Sequence, residues 1–309
     1  MRRRWFLAPL LCGLLWLTAC DWEDFGSSDR FTEDFHQTHA LKAGGRITLE
    51  TFNGSVEISG WDQDTVDISG TKYAATAELR DALKIEITPS ADSIYIRTVR
   101  PSTRGNMGAR YVIKAPRRVD LERIVSSNGA IRVNDILGLV RLKTSNGALR
   151  AVNLKGSLDA VTSNGSAELQ NVEGTTSIKT SNGRVRAEAI RGGLEVETSN
   201  GGISAQVSKI EAGKSVRLYT SNGGVDLTMD VFNQNEIHAQ SSNGGITVHL
   251  PSNVNAQVRA RTSNSSITSE FDVRMQGQIS KHNLEGTIGN GGPVLDLSTS
   301  NGSIRLLKM

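Results

Sequence analysis

Cysteine is almost missing from this chain of 309 residues: Cys12 and Cys20 are the two it has, and both fall within the first twenty positions. The remainder can hold neither a disulfide framework nor a thiolate metal centre, so packing and backbone hydrogen bonds must supply its stability. Proline is scarce, at 6 residues, and aromatics make up 5%. Long apolar runs are also lacking. The longest, Trp5 to Leu17, has 13 residues, too few to span a bilayer, and no later segment is apolar enough to try. Nor is there an excess of one charge. The formal net charge of +3 comes from Arg2, Arg3 and Arg4; without them 32 basic side chains face 32 acidic ones. That balance removes the electrostatic case for a nucleic-acid partner.

The first segment has the form of an export signal: three arginines, a short apolar run, then Leu17-Thr18-Ala19-Cys20. The last four residues resemble a bacterial lipobox. The resemblance implies cleavage after residue 19 and a lipid on Cys20, which would attach the chain to a membrane without crossing it. The expected organisation is a signal peptide over 1–19 and a lipidated cysteine with a tether, acidic at first, over 20–44, with a first strand starting near Phe35 as the alternative for its second half.

What the chain has in quantity is glycine, 31 residues, and one recurring phrase, Thr-Ser-Asn-Gly. Its asparagine falls at Asn128, Asn146, Asn164, Asn182 and Asn200, four equal steps of 18. Asn222, Asn243 and Asn264 follow at steps of 22, 21 and 21, and Asn301 comes 37 later, with a degenerate copy at Asn283 between them. An isolated early copy sits at Asn53. In register with each asparagine runs a Thr or Ser two positions before it. An apolar residue stands three after it (Ile131, Leu149, Ala167, Val185, Ile203) and a small or apolar one five after it (Val133, Ala151, Leu169, Ala187, Ala205). Charged residues stand between these columns. That is the period-two pattern of a strand with one face inward. Gly138, Gly156, Gly174 and Gly192 lie ten after the asparagine and mark a second turn.

Asn-Gly between alternating runs is a strong hairpin signal. A meander of hairpins, however, would need roughly twenty strands in one open sheet, beyond the usual range. A constant period with like residues in columns fits stacked coils better, with equivalent amides about 4.8 Å apart along the stack. The expected fold is therefore all-β: a single-domain β-solenoid, parallel β-helix-like, with coils of about 18 residues over 125–309 and an irregular N-terminal β cap over 45–124. Within the cap, Thr76 to Leu83 predicts a short helix capped by Thr76. At Asn264 the next residue is Ser265 instead of glycine. Either this corner bends differently, or glycine serves close stacking and not a positive φ.

Taken in order, the lipobox, "NGSVEISGWD", "YVIKAP", the serial "TSNG" units and the closing "GTIG…LSTSNGSIRL" resemble the bacterial family called domain of unknown function 4097, whose members carry an adhesin label. The resemblance covers nearly all of the chain beyond the signal. It implies a β-solenoid protein of the cell envelope and defines no catalytic residues to carry over.

The sequence offers little chemistry. Coils of 18 residues leave no room for the long loops that wall the groove of a polysaccharide-cleaving β-helix. Asp226 and Asp230 read as outward, solvated acids. His36, His39, His238 and His249 lack a second ligand pair, so no metal is expected, and no cofactor. No phosphate loop and no nucleophile–His–acid set is present. Arg132, Arg150 and Arg186 share one outward column, interrupted by Glu168 and with Arg184 nearby, which makes a candidate anion-binding stripe. The functional expectation is a non-catalytic envelope lipoprotein presenting a repetitive surface to cell-wall or surface glycan or to an envelope protein. An accessory regulator of envelope-stress signalling and a polysaccharide-active enzyme are the alternatives.

Overall fold

The computed structural model describes residues 31–211, 213–232, 235–275 and 280–309. The expected signal peptide and Cys20 lie outside them. Each repeat is one coil of two strands joined at the Asn-Gly corner. Val140–Thr144 enters a corner and Leu149–Lys155 leaves it. These two strands belong to different sheets, so the corner is not a hairpin turn. Entering strands build the body of a 14-stranded sheet and leaving strands that of a 13-stranded sheet.

Within each sheet the repeats pair in parallel and in register. Val140 faces Leu158, which faces Thr176, then Leu194, Val216 and Ile237. On the other sheet Leu149 faces Ala167, then Val185, Ile203, Val225 and Ile246. The two sheets turn these aliphatic columns toward each other and form one continuous core. Each Leu, Ile or Val so buried contributes roughly 1.5–3 kcal/mol. Past the leaving strand's first half the backbone bends through one left-handed residue per coil: Asp135 (φ 58°), Asn153 (55°), Asn171 (54°) and Ala189 (53°). The bend directs Ile136, Leu154, Val172 and Ile190 into the core. Three of the four bend residues are Asn or Asp, which adopt this conformation most readily.

The early copy at Asn53 is not isolated. Gly45–Thr51 and Val56–Trp61 form a full coil, paired in parallel with Val119–Ser126 and Ile131–Asn134. The solenoid therefore begins at residue 45, and the cap is an excursion between two coils instead of a preceding block. That excursion adds one more coil outboard, Ser93–Val99 with Met107–Pro116. It then closes with the antiparallel strands Lys84–Pro89 and Thr65–Ala74. The helix is present over Ala77–Ala82, with the Thr76 hydroxyl accepting from the Leu79 N–H at 3.3 Å. The expected tether ends early: Phe31–Ala40 is a strand, antiparallel to Thr65–Ala74 over ten residue pairs.

The C-terminal end departs from chain order. The Asn243 coil pairs with the last strands of the chain, Val294–Thr299 and Ile304–Lys308. The coil that follows it in sequence, Ala256–Thr262 and Ile267–Ser269, lies outside those strands. Asn283, the degenerate copy, makes no corner; it opens an antiparallel strand, Asn283–Ile288, that covers Ala256–Thr262.

Candidate functional site

The corners explain the repeated phrase residue by residue. The Thr or Ser two before Asn is buried, and its hydroxyl works in both directions. Thr162 Oγ1 accepts from the Gly165 N–H at 3.2 Å and donates to the Gly147 carbonyl, one coil earlier, at 3.1 Å. Only a hydroxyl supplies donor and acceptor from one atom at that spot. The following serine offers its carbonyl to the next coil: Ser145 and Asn146 both donate their N–H to Ser127 O at 3.0 Å. The asparagine side chains then run along the surface as a ladder. In spatial order it passes through Asn53, Asn128, Asn146, Asn164, Asn182, Asn200, Asn222, Asn243, Asn301 and Asn264. Each Nδ2 donates to the Oδ1 before it at 2.6–2.7 Å. Asn53 ends the ladder on the Met107 carbonyl at 2.9 Å. All nine asparagines expected in the ladder belong to it, in an order that places Asn301 before Asn264.

A second, shorter ladder was not read from the sequence. Asn171 donates to Asn153 at 2.8 Å and Asn153 to Asp135 at 3.0 Å, from the left-handed bend of each coil. The 18-residue spacing of Asp135, Asn153 and Asn171 was its visible signal; Ala189 ends it.

The corner glycine answers the question raised by Ser265. From Gly129 to Gly302, φ is not in the left-handed region. A Cβ at each of these glycines would instead fall 1.6–2.0 Å from the carbonyl oxygen of the preceding coil's glycine. Glycine is there for close stacking. At the outermost coil the corner is held differently: the His282 ring donates from Nδ1 to Ser265 O at 2.6 Å.

The candidate arginine stripe is interrupted by one acid. Arg132 stands beside Arg150, Arg150 beside Glu168, and Glu168 beside Arg186. Arg150 lies 3.6 Å from Glu168, and Arg186 binds Glu188 at 2.5 Å. Arg184 stands two residues before this column and lines one end of a shallow groove. The floor of that groove is Gly202, Gly224, Gly245 and Ser303, where successive coils carry almost no side chain. Asp226, Thr247 and Arg305 border it, and it encloses about 480 Å³. Three consecutive Ser-Asn-Gly-Gly phrases were its signature in the sequence.

The acids and imidazoles meet in small, separate contacts. Asp226 lies 3.7 Å from His249, while Asp230 accepts from Gln206 at 3.2 Å. His238 sits between Glu236 (3.4 Å) and Asp296 (3.6 Å) in a column of alternating charge that includes Arg217 and Arg259. Lys179, bonded to Glu197 at 3.1 Å, is held above its ordinary pKa by that carboxylate. Among the described residues no group of three His, Cys, Asp or Glu could hold a metal ion, and no helix is long and apolar enough to cross a membrane.

A two-sheet parallel β-solenoid with an amide ladder along one corner and flat flanks defines the class. The chain belongs to the Toastrack DUF4097 family, which it matches over residues 45–307. Among solved structures it is similar to a candidate adhesin of Bacteroides fragilis, at 11% identity and a TM-score of 0.40, with 90% of this chain and 97% of that one covered. A candidate cell adhesion protein of Clostridium sporogenes gives 11% identity and a TM-score of 0.23, covering 90% of this chain and 100% of that one. A comparison with curated proteins found no match.

Proposed function

We propose that this chain is a non-catalytic scaffold of the bacterial envelope, held to a membrane by a lipid on Cys20 and presenting the flanks of its rod to cell-wall or surface glycan or to another envelope protein. The observation that carries this reading is the character of the flanks. Register-locked columns of short side chains and mutually paired charges run along both sheets, and the groove above Gly202, Gly224 and Gly245 is open and shallow. Such a surface suits repeated weak contacts along a chain-like partner, whose avidity grows with each coil engaged. Among the described residues it provides no desolvated pair of acids and no activated nucleophile for bond cleavage.

The anchor is tested by labelling cells with radioactive palmitate. Label should enter the wild-type chain and be absent from Cys20→Ala. The scaffold reading is tested by incubating the protein with purified cell-wall glycan. Saturable binding without release of shorter products is expected; turnover of any glycan would overturn it.

A further inference from the structure

The two sheets have four outer edges among the described residues: Phe31–Ala40 and Ile267–Ser269 on one sheet, Lys84–Pro89 and Val273–Met275 on the other. An unpaired edge strand templates association, and proteins blunt such edges by shortness, lysine, proline or a bulge. Three of these edges are blunted. Ile267–Ser269 and Val273–Met275 have three residues each. Lys84–Pro89 carries Lys84 at one end and Pro89 at the other. Phe31–Ala40 has none of these four devices; Glu33 and Asp34 are its acids, and the helix touches it near one end, where Arg80 Nη1 donates to Thr32 O at 3.4 Å. It is ten residues long, has neither lysine nor proline, and keeps an unbroken register against Thr65–Ala74.

We propose that Phe31–Ala40 is a self-association edge, on which the same strand of a second copy pairs antiparallel and joins two rods end to end through one continuous sheet. The strand's own charges select a second copy as the occupant. With the twofold axis centred on Phe35, Asp34 stands opposite the second copy's His36, and His36 opposite the second copy's Asp34. Glu33 stands opposite Gln37, so no like charges face each other across the pair. Each group keeps an atom for this purpose. Asp34 Oδ1 accepts from Thr71 and His36 Nε2 contacts Asp67 at 2.5 Å, leaving Asp34 Oδ2 and His36 Nδ1. Glu33 is already neutralised within its own chain by Lys72 at 2.8 Å. The inner side of the strand is fixed before any partner arrives, since the Phe35 ring packs edge-on against Tyr111, with centroids 5.5 Å apart. The twofold symmetry makes the interface self-complementary, and it closes at two copies because each rod has one such edge.

This inference is independent of the lipid and of what the flanks bind. The full-length chain in detergent, at micromolar concentration, should have the mass of two copies by sedimentation equilibrium, with twice the maximum dimension of one rod by small-angle scattering. His36→Lys sets a positive charge across from Asp34 and should retain the dimer. His36→Asp sets two acids face to face, and Asp34→Lys removes the acceptor opposite His36; each should raise the dimer dissociation constant by about tenfold or more. Thermal unfolding of each variant, followed by circular dichroism, separates a lost interface from a lost fold. If His36→Asp fails to fold because of its neighbour Asp67, Asp34→Lys decides. A wild-type chain that is monomeric throughout, or a dimer indifferent to both His36→Asp and Asp34→Lys in folded variants, would overturn the proposal.

Discussion

A β-carbon at Gly165 would lie 1.7 Å from the carbonyl oxygen of Gly147 in the coil below. The contact is with backbone on both sides, so neither partner can rotate away. Gly165→Ala must push two coils apart and is expected to cost about 3 kcal/mol or more. Gly202→Ala is the matched control, because its nearest atom is Gly224 O at 3.6 Å. Urea unfolding of the two variants should show a large loss for the first and a change within about 0.5 kcal/mol for the second.

Asn164 donates to Asn146 and accepts from Asn182, each at 2.7 Å. Asn164→Ala interrupts the ladder at mid-rod and removes both bonds. At about 0.5–1.5 kcal/mol for each, the expected loss is about 1–3 kcal/mol, read from the shift in the urea midpoint at constant slope.

Thr176 stands in an inward column between Leu158 and Leu194, and its hydroxyl is buried without a hydrogen-bond partner. Thr176→Val keeps the shape and removes the unsatisfied group. It should raise stability by about 1–2 kcal/mol, seen as a higher thermal midpoint.

Ala189 occupies the left-handed bend at a φ of 53°, where its β-carbon is strained. Ala189→Asn relieves that strain and places an amide one coil beyond Asn171, extending the second ladder by one step. A gain of about 1 kcal/mol in unfolding free energy is expected.

Tyr111 is buried, and burial pushes its phenol up to about 12 from an ordinary value of 10.0. Between those two values the folded chain keeps the proton while the unfolded chain gives it up. The contribution is thus complete below about pH 10, falls as pH rises through the window and is lost above about pH 12, amounting to roughly 2–3 kcal/mol. Unfolding midpoints of wild type and Tyr111→Phe across this window should converge as pH rises, since the phenylalanine variant lacks this component of the decline.

The columns of the fold were legible because each has a one-residue requirement. The buried hydroxyl of Thr162, the amide of Asn164 and the bare α-carbon of Gly165 recur since their neighbours above and below are their own equivalents. The order of coils was not legible, and for the same reason. Ile304 and Ile267 each make the same parallel pairing with their neighbours, so nothing in the repeat dictates that the Asn301 coil precedes the Asn264 coil in space. Phe31–Ala40 was only half legible, as an alternative strand starting near Phe35, for a different reason. An edge strand has one neighbour and little core to face, so it lacks the apolar alternation that marks Ile47 and Leu49. The groove over Gly202, Gly224 and Gly245 escaped because a missing side chain has no column of its own until coils are stacked.

The insertion of Val294–Lys308 between two coils made earlier in the chain has a consequence for biogenesis. This storey leaves the ribosome after the coil that lies outside it, and its place must be open, or reopened, when it arrives. A polypeptide cut short before Val294 is therefore missing an interior floor instead of a dispensable tail, and the coil of Ala256–Ser269 reaches its final place only once Val294–Lys308 has been made.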